Sequence, residues 1–337
     1  MHQRIDTPVT IGELGHVAGM TLIELMVALA IGGFLMIGAV TVFMQSRTTF
    51  RISESVSRMQ ESSRFVLDRL EPDIRMAHYW GLTTRTNKIL GRASPADPNG
   101  IGPDDCGVNW TIDLDNEIEG TNNGYAWACA GTPTVAPNAD TLVVRRVSED
   151  PMAVLAGNVM YLQSARFQDS QLFQGAAVPP GYAAATSQTH QLVVNGYYVS
   201  QNSTLDTPGN PIPSLRMQTL VPGPAIQNQE VLPGVEDMQI QFGVDTDVVG
   251  GADRGSVDRY VNPGDPIINP ANPAFIPFAE ILSVRIWLRI RAERAENGFT
   301  DTTNYVYADQ NVGPFGDGFR RIVVSKTIYL RNARPPT

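Results

Sequence analysis

Glu24 is the side chain that most needs a chemical explanation. It is a carboxylate set in Gly19-Met-Thr-Leu-Ile-Glu-Leu-Met-Val-Ala-Leu-Ala-Ile-Gly, and apolar residues continue to Met44. An ionised group is costly in hydrocarbon and asks for a partner of opposite charge. Cys106 and Cys129 stand in a polar region rich in Gly and Asn. Downstream of a membrane-length segment they read as a disulfide in an oxidising compartment; the alternative is two unpaired thiols. Without a CxxC or a nearby His pair, zinc is not indicated. Asp245, Asp247 and Asp253, with Asp258 beyond, place carboxylates on a Gly-containing stretch, a pattern able to hold calcium. Against an EF-hand loop, Asp245, Asp247 and Gly250 fall at the first, third and sixth places. Val249 and Ser256 occupy the fifth and twelfth, so a solvated loop is the better reading. Arg285, Trp287, Arg289 and Arg291 alternate as cations and rings do in strand-based nucleic-acid binders. A solvent-facing strand with Arg stems packed beside Trp has the same pattern.

The four histidines, His2, His16, His78 and His190, form no HExxH, and no GxSxG, P-loop or GxGxxG is present. Absence of these motifs does not exclude an enzyme, but it leaves no catalytic residue, metal or cofactor to assign, and the expectation is a protein that is not an enzyme. A net charge of −9 works against general nucleic-acid binding, although a local basic patch would survive it. With 18% charged residues, 30 Gly and 24 Pro, the composition suits a loop-rich β protein better than a helical one. The 337 residues have room for one large domain or two small ones.

The element that carries Glu24 is a run of about 25 apolar residues from Met20, long enough to cross a bilayer. A removable secretory signal could end at Ala28-x-Ala30, but the apolar pattern continues about fourteen residues beyond it. A plain anchor explains the length and leaves Glu24 unexplained. Residues 19–32 closely resemble the class III signal of type IV pilins and type II secretion pseudopilins. The resemblance implies that a prepilin peptidase cuts between Gly19 and Met20 and methylates the new amine of Met20. Glu24 then sits fifth in the mature chain, where its carboxylate meets the amine of an adjacent filament subunit. Arg4 is the only Arg or Lys before the run, while Arg47 and Arg51 follow it. That bias alone favours the reverse orientation, so a cytoplasmic N-terminus rests on the resemblance and the disulfide.

Beyond Met44 the apolar residues thin into a stripe. Ile52, Val56, Met59, Phe65/Val66, Leu70 and Ile74 step mostly by three or four, the spacing of one helical face. One helix from Thr21 to Ala77 would be about 85 Å long, with Pro72 expected to kink its last turns. Residues 64–81 resemble the helix end of the PilW family of minor pilins, in which Asp-Ile-Arg-x-Ala-Gly-Tyr-x-Gly-Cys is common. Asp73, Ile74, Arg75, Ala77, Tyr79 and Gly81 fit. His78 replaces a glycine and Leu82 stands at the cysteine position, which leaves Cys106–Cys129 as the only intrachain pair.

Residues 83–135 read as long loops, and strands follow at 140–146, 191–199 and 214–220. The clearest alternation is Val235–Asp245: Met238, Ile240, Phe242 and Val244 share one face, and Asp237, Gln239 and Gln241 the other. In 281–293, Val284, Ile286, Leu288 and Ile290 oppose the Arg row. A last strand spans 321–332, and insertions at 168–188 and 250–277 are expected to project as loops. Residues 232–247 and Ile328-Tyr-Leu-Arg-Asn also resemble PilW sequences; pseudopilin J of type II secretion is the nearest rival. The expected fold is α+β and pilin-like, a long N-terminal helix packed on an antiparallel sheet. Its expected parts are a leader (1–19), a transmembrane or filament-core helix (20–44), an amphipathic continuation (45–78) and a loop-rich β domain (79–337).

The resemblance implies a minor pilin that primes or caps the pilus and supports twitching motility and adhesion. Its implied partners are other minor pilins, the major pilin, the prepilin peptidase and a tip adhesin. Before assembly it would be a single-pass inner-membrane protein with a periplasmic domain. The different-class alternative is a membrane-anchored binding domain or enzyme.

Overall fold

The computed structural model describes residues 19–92, 102–103, 105–116, 118–131, 133–248, 250–251 and 253–333. Apart from Gly19, the expected leader lies outside them. The chain divides into two compact units, Met1–Glu54 and Ser55–Thr337, and the boundary falls inside the long helix α1, Leu22–Arg75.

In the first unit every described residue from Gly19 to Arg51 is exposed. Leu22, Phe34 and Leu35 are among the large apolar side chains with no cover from the chain. A Cβ added to Gly32, Gly33 or Gly38 would meet nothing, so no packing within the chain requires these glycines. Among the described residues α1 is the one helix long and apolar enough to cross a membrane.

In the second unit α1 buries Met59, Ser63, Val66, Leu70, Asp73 and Ile74. Four of these belong to the apolar stripe read from the sequence; Phe65 instead faces solvent. The helix runs through Pro72 and ends at Arg75.

The strands, in chain order, are β1 (Ile89–Leu90), β2 (Ile118–Thr121), β3 (Thr141–Val147), β4 (Met160–Ala165), β5 (Ser170–Gln174), β6 (Ser187–Ser200) and β7 (Ser214–Val221). They continue with β8 (Ala225–Pro233), β9 (Val235–Asp245), β10 (Arg259–Val261), β11 (Glu280–Arg291), β12 (Tyr305–Tyr307), β13 (Gln310–Val312) and β14 (Arg321–Tyr329). One sheet has the order β10-β9-β11-β14 and is antiparallel throughout. A larger sheet runs β1-β5-β4-β6-β3-β2, with β7 also on β6 and β8 on β7. It is antiparallel except for the parallel pair β1–β5. The strands β12 and β13 form a small ribbon of their own.

The main core places α1 beside Met238, Ile240, Phe242 and Val244 of β9 and Val284, Ile286, Leu288 and Ile290 of β11. Leu142 and Val144 of β3 join it, whereas Val143 and Val147 enter a second core with Trp80, Trp110, Met160, Leu162 and Leu192. Strand β3 is therefore covered on both faces, which is why it reads as a continuous apolar run rather than an alternating one. Strands β1, β2, β4, β5, β8, β10, β12 and β13 fall where no strand was read, with β1 and β2 inside the expected loops 83–135, β5 inside 168–188 and β10 inside 250–277. Each is held by a ladder to a neighbouring strand.

Candidate functional site

Gly19 and Met20 precede the first turn of α1, and Thr21 caps it. The Thr21 backbone N–H and hydroxyl both donate to Glu24 Oε2 at 2.9 Å, and Glu24 N–H donates back to Thr21 Oγ1 at 3.3 Å. This is a reciprocal capping box, which supplies two of the unpaired groups at a helix start. The Thr-x-x-Glu spacing was visible in the sequence as a cap signal, and the sequence reading passed over it. Glu24 is the only ionisable side chain between Met20 and Arg47.

The far end of α1 is held by longer-range bonds. Buried Asp73 accepts from Arg146 Nε at 2.7 Å, Asn195 Nδ2 at 2.9 Å and the Tyr197 hydroxyl at 2.8 Å. Burial, reinforced by the Asp73 charge, raises the Tyr197 phenol well above its ordinary range. After the helix, His78 takes φ +66° and Gly81 φ +70°. Positive φ at His78 explains why a glycine suits that place. A Cβ at Gly81 would come within 2.6 Å of Ser164 Oγ and 2.9 Å of the His190 ring. The helix-end carbonyls are met by the chain terminus: Arg331 N–H donates to Arg75 O at 2.9 Å, and Asn332 Nδ2 to Ala77 O at 3.4 Å. The Leu-Arg-Asn ending thus serves as a helix cap supplied from a distant part of the chain.

The Gly-Val-Glu-Asp stretch that opens β9 is a second hub. Gly234 has φ +88°, and a Cβ there would sit 3.1 Å from Arg291 O. Glu236 accepts from Arg289 Nε at 3.0 Å and Arg321 Nε at 2.7 Å, with Arg291 at 3.8 Å. Arg321 also bonds Asp301 at 2.9 Å and Asp317 at 2.7 Å. Burial opposes its charge, yet the hydrogen bonds to Asp317 and Glu236 raise its pKa above the ordinary value. Asp237 accepts from the Tyr307 hydroxyl, and burial pushes its carboxyl up.

Residues 196–332 match the family model of type IV pilus-assembly protein W, and residues 15–40 match the prokaryotic N-terminal methylation motif. The chain matches a PilW-family type IV pilin with a prepilin-type signal. No curated protein and no solved structure matches it. The PilW match begins within β6 and ends at Asn332, so it contains the Glu236 hub and the residues that cap the far end of α1. Both matches point to a structural pilin, and the signal with its apolar helix fits membrane anchoring of a C-terminal domain.

In this chain Cys106 and Cys129 form a disulfide. Of the acidic residues read as calcium candidates, Asp245, Asp247 and Asp258 bring ligand oxygens together, and Asp253 meets the Asp247 side chain. Asp245 and Asp258 serve the loop itself: Asp245 accepts from the N–H groups of Asp247 and Gly255, and Asp258 accepts from Thr246. The Arg row is likewise not a free cationic face. Arg289 and Arg291 pair with Glu236, and Arg285 stacks 3.6 Å over the Tyr260 ring. Side chains from 299–319 cover two of the guanidiniums: Phe315 and Tyr307 lie by Arg289, and Phe319 by Arg291. The alternation in sequence marked the face correctly but carried no sign of what lies over it.

Proposed function

We propose that this chain is a minor pilin that primes or caps a type IV pilus, supporting twitching motility and adhesion. The observation that carries this reading is Glu24, the one charge in an exposed apolar segment, held by Thr21 beside the Gly19–Met20 bond. Prepilin peptidase removes residues 1–19, and the mature chain starts at a methylated, cationic Met20. In a filament core the Glu24 carboxylate of one subunit meets the amine of another. Each charge alone is expensive in an apolar interior, and pairing offsets part of that penalty while selecting one axial register.

On this reading 20–44 is the membrane or filament-core segment, 45–78 its amphipathic continuation and 79–337 the displayed domain. The chain waits in the inner membrane with that domain in the periplasm, then joins other minor pilins, the major pilin and a tip adhesin. Its extended loop regions suit a terminal place better than a close-packed repeat. Mass spectrometry of the protein from piliated cells tests the reading. The expected N-terminus is methylated Met20; a chain still carrying Met1–Gly19 in assembled pili overturns it.

A further inference from the structure

Two arginines stand where the apolar segment of α1 gives way to polar chain, and no acid of the segment answers their charge. Arg47 and Arg51 are both exposed and one helical turn apart, so their side chains share a face. From Leu25 to Ser53 there is no Asp or Glu. Among the described residues neither guanidinium makes an ion pair or a hydrogen bond. Like charges at this spacing repel, and an anion held between them removes that penalty.

The surroundings of the pair say which anion fits. Arg47 and Arg51 line one shallow groove along α1 with Phe43, Ser46, Phe50 and Glu54. The Arg47 guanidinium lies 5.5 Å from the centre of the Phe43 ring, leaning back toward the apolar segment as helix side chains do. Phe43 and Phe50, 59% and 71% exposed, flank the arginines with rings that lipid covers better than water does. Glu54 closes the groove at the end away from the apolar segment, which leaves the other end as the entry for an anion. Depth points the same way. Leu22 to Met44 rises about 33 Å, which crosses a hydrocarbon core of about 30 Å with some tilt. The Cα atoms of Arg47 and Arg51 then lie about 4.5 and 10.5 Å beyond Met44, with both side chains sloping back. Their guanidiniums fall at the level of the lipid headgroups, a layer of about 5–8 Å on each side of the core.

We infer that Arg47 and Arg51 bind the phosphate of an anionic glycerophospholipid in the leaflet at the far end of the apolar segment. The inference rests on the reading of 20–44 as the membrane segment before assembly. Guanidinium forks match phosphate oxygens in bidentate fashion. A choline headgroup carries its own ammonium beside the phosphate and would set it against two more cations, whereas a glycerol headgroup would not. The contact also gives a reason for two arginines on the side of the membrane where positive charge is disfavoured: they answer the lipid rather than set the orientation. It fixes how deep α1 sits, and it is given up when the helix leaves the bilayer for a filament.

The test uses the full chain in detergent micelles with equal amounts of dioleoyl phosphatidylglycerol and dioleoyl phosphatidylcholine, and counts the lipid that stays bound by native mass spectrometry. Phosphatidylglycerol should exceed phosphatidylcholine at least roughly fivefold at low salt, about the effect of one arginine at an anionic membrane surface. The excess should shrink as salt is raised. The Arg47→Gln/Arg51→Gln chain should hold the two lipids alike, with the melting temperature of its β domain unchanged. Arg58→Gln, which removes the same kind of charge farther along α1, should keep the full excess. Three results overturn the inference: an unaltered chain without preference, a double variant that keeps the preference, or an Arg58→Gln chain that loses as much as the double variant. An unaltered chain without preference, whose double variant is lost from the pilus fraction, would assign the pair to an acidic neighbouring subunit instead. Failure of the membrane reading looks different: alkaline carbonate would then release the unaltered chain from the membrane fraction, whereas failure of this inference alone leaves it there.

Discussion

Leu35 and Leu70 lie on the same helix, yet Leu35 is 70% exposed and Leu70 wholly buried. Glu24 and Asp73 make the same contrast in polar form. Glu24 is bonded to Thr21, three residues away, whereas Asp73 takes bonds from Arg146, Asn195 and Tyr197, the last 124 positions along the chain. Nothing among the described residues covers Leu35 or Glu24, whereas side chains of β3 and β6 bond Asp73 and the main core encloses Leu70. Helix formation itself is therefore indifferent to tertiary support: a good cap and helix-forming residues suffice at one end, and an apolar stripe at the other. What differs is where the side chains find their partners. The segment before Ser55 leaves them uncovered, and the domain after it meets them internally.

The largest effect should come from removing the charge that the first segment leaves unmatched. Glu24→Ala should reduce recovery in the pilus fraction by roughly tenfold or more, as loss of one partner of a buried pair implies, with the melting temperature of the β domain unchanged. A parallel loss of domain stability would erase the contrast. In the domain, Glu236→Gln strips three arginines of their shared acid and should lower stability by about 3–5 kcal/mol in denaturant titrations. Gly81→Ala combines overpacking against Ser164 and His190 with a left-handed backbone, and should lower stability by about 3 kcal/mol.

Asp140 sharpens the comparison through pH. It is buried and its carboxyl is pushed up from 3.8 to about 7, chiefly by burial, against the N–H groups of Asn123 and Ile240 that favour the charged form. A raised folded-state pKa means that the native protein holds the proton more tightly than the unfolded chain. Its stabilising contribution is complete below 3.8 and is lost as pH rises through about 7. Unfolding measured across that window should show stability falling with rising pH in the unaltered chain relative to Asp140→Asn. Equal slopes would show that Asp140 keeps an ordinary pKa. The smallest change expected is a gain: His78→Gly relieves a positive φ and should add about 0.5–1 kcal/mol.

Much of the β domain was legible because alternation is a local property. The apolar faces of β9 and β11 and the buried stripe of α1 sit where their spacing places them. Strands β5 and β8 were missed because Ser-Gln-Leu-Phe-Gln and Ala-Ile-Gln-Asn-Gln-Glu carry little apolar signal and owe their form to the strands beside them. The Arg row shows the limit of a local reading: residue types at a given spacing state what could bind, while partners elsewhere decide whether those groups remain available. Glu236 and Asp73 stood in the recognised stretches, but nothing near them in the chain names Arg321 or Tyr197.

By itself the sequence determined the apolar helix with its Thr21–Glu24 cap, the Gly19–Met20 signal and the strand-rich class, since each depends on residues within a few positions of one another. Tertiary structure alone decided which charges are matched and what covers the second face of β9 and β11. Those outcomes depend on contacts across tens to hundreds of positions, whose energies exist only once the strands have paired.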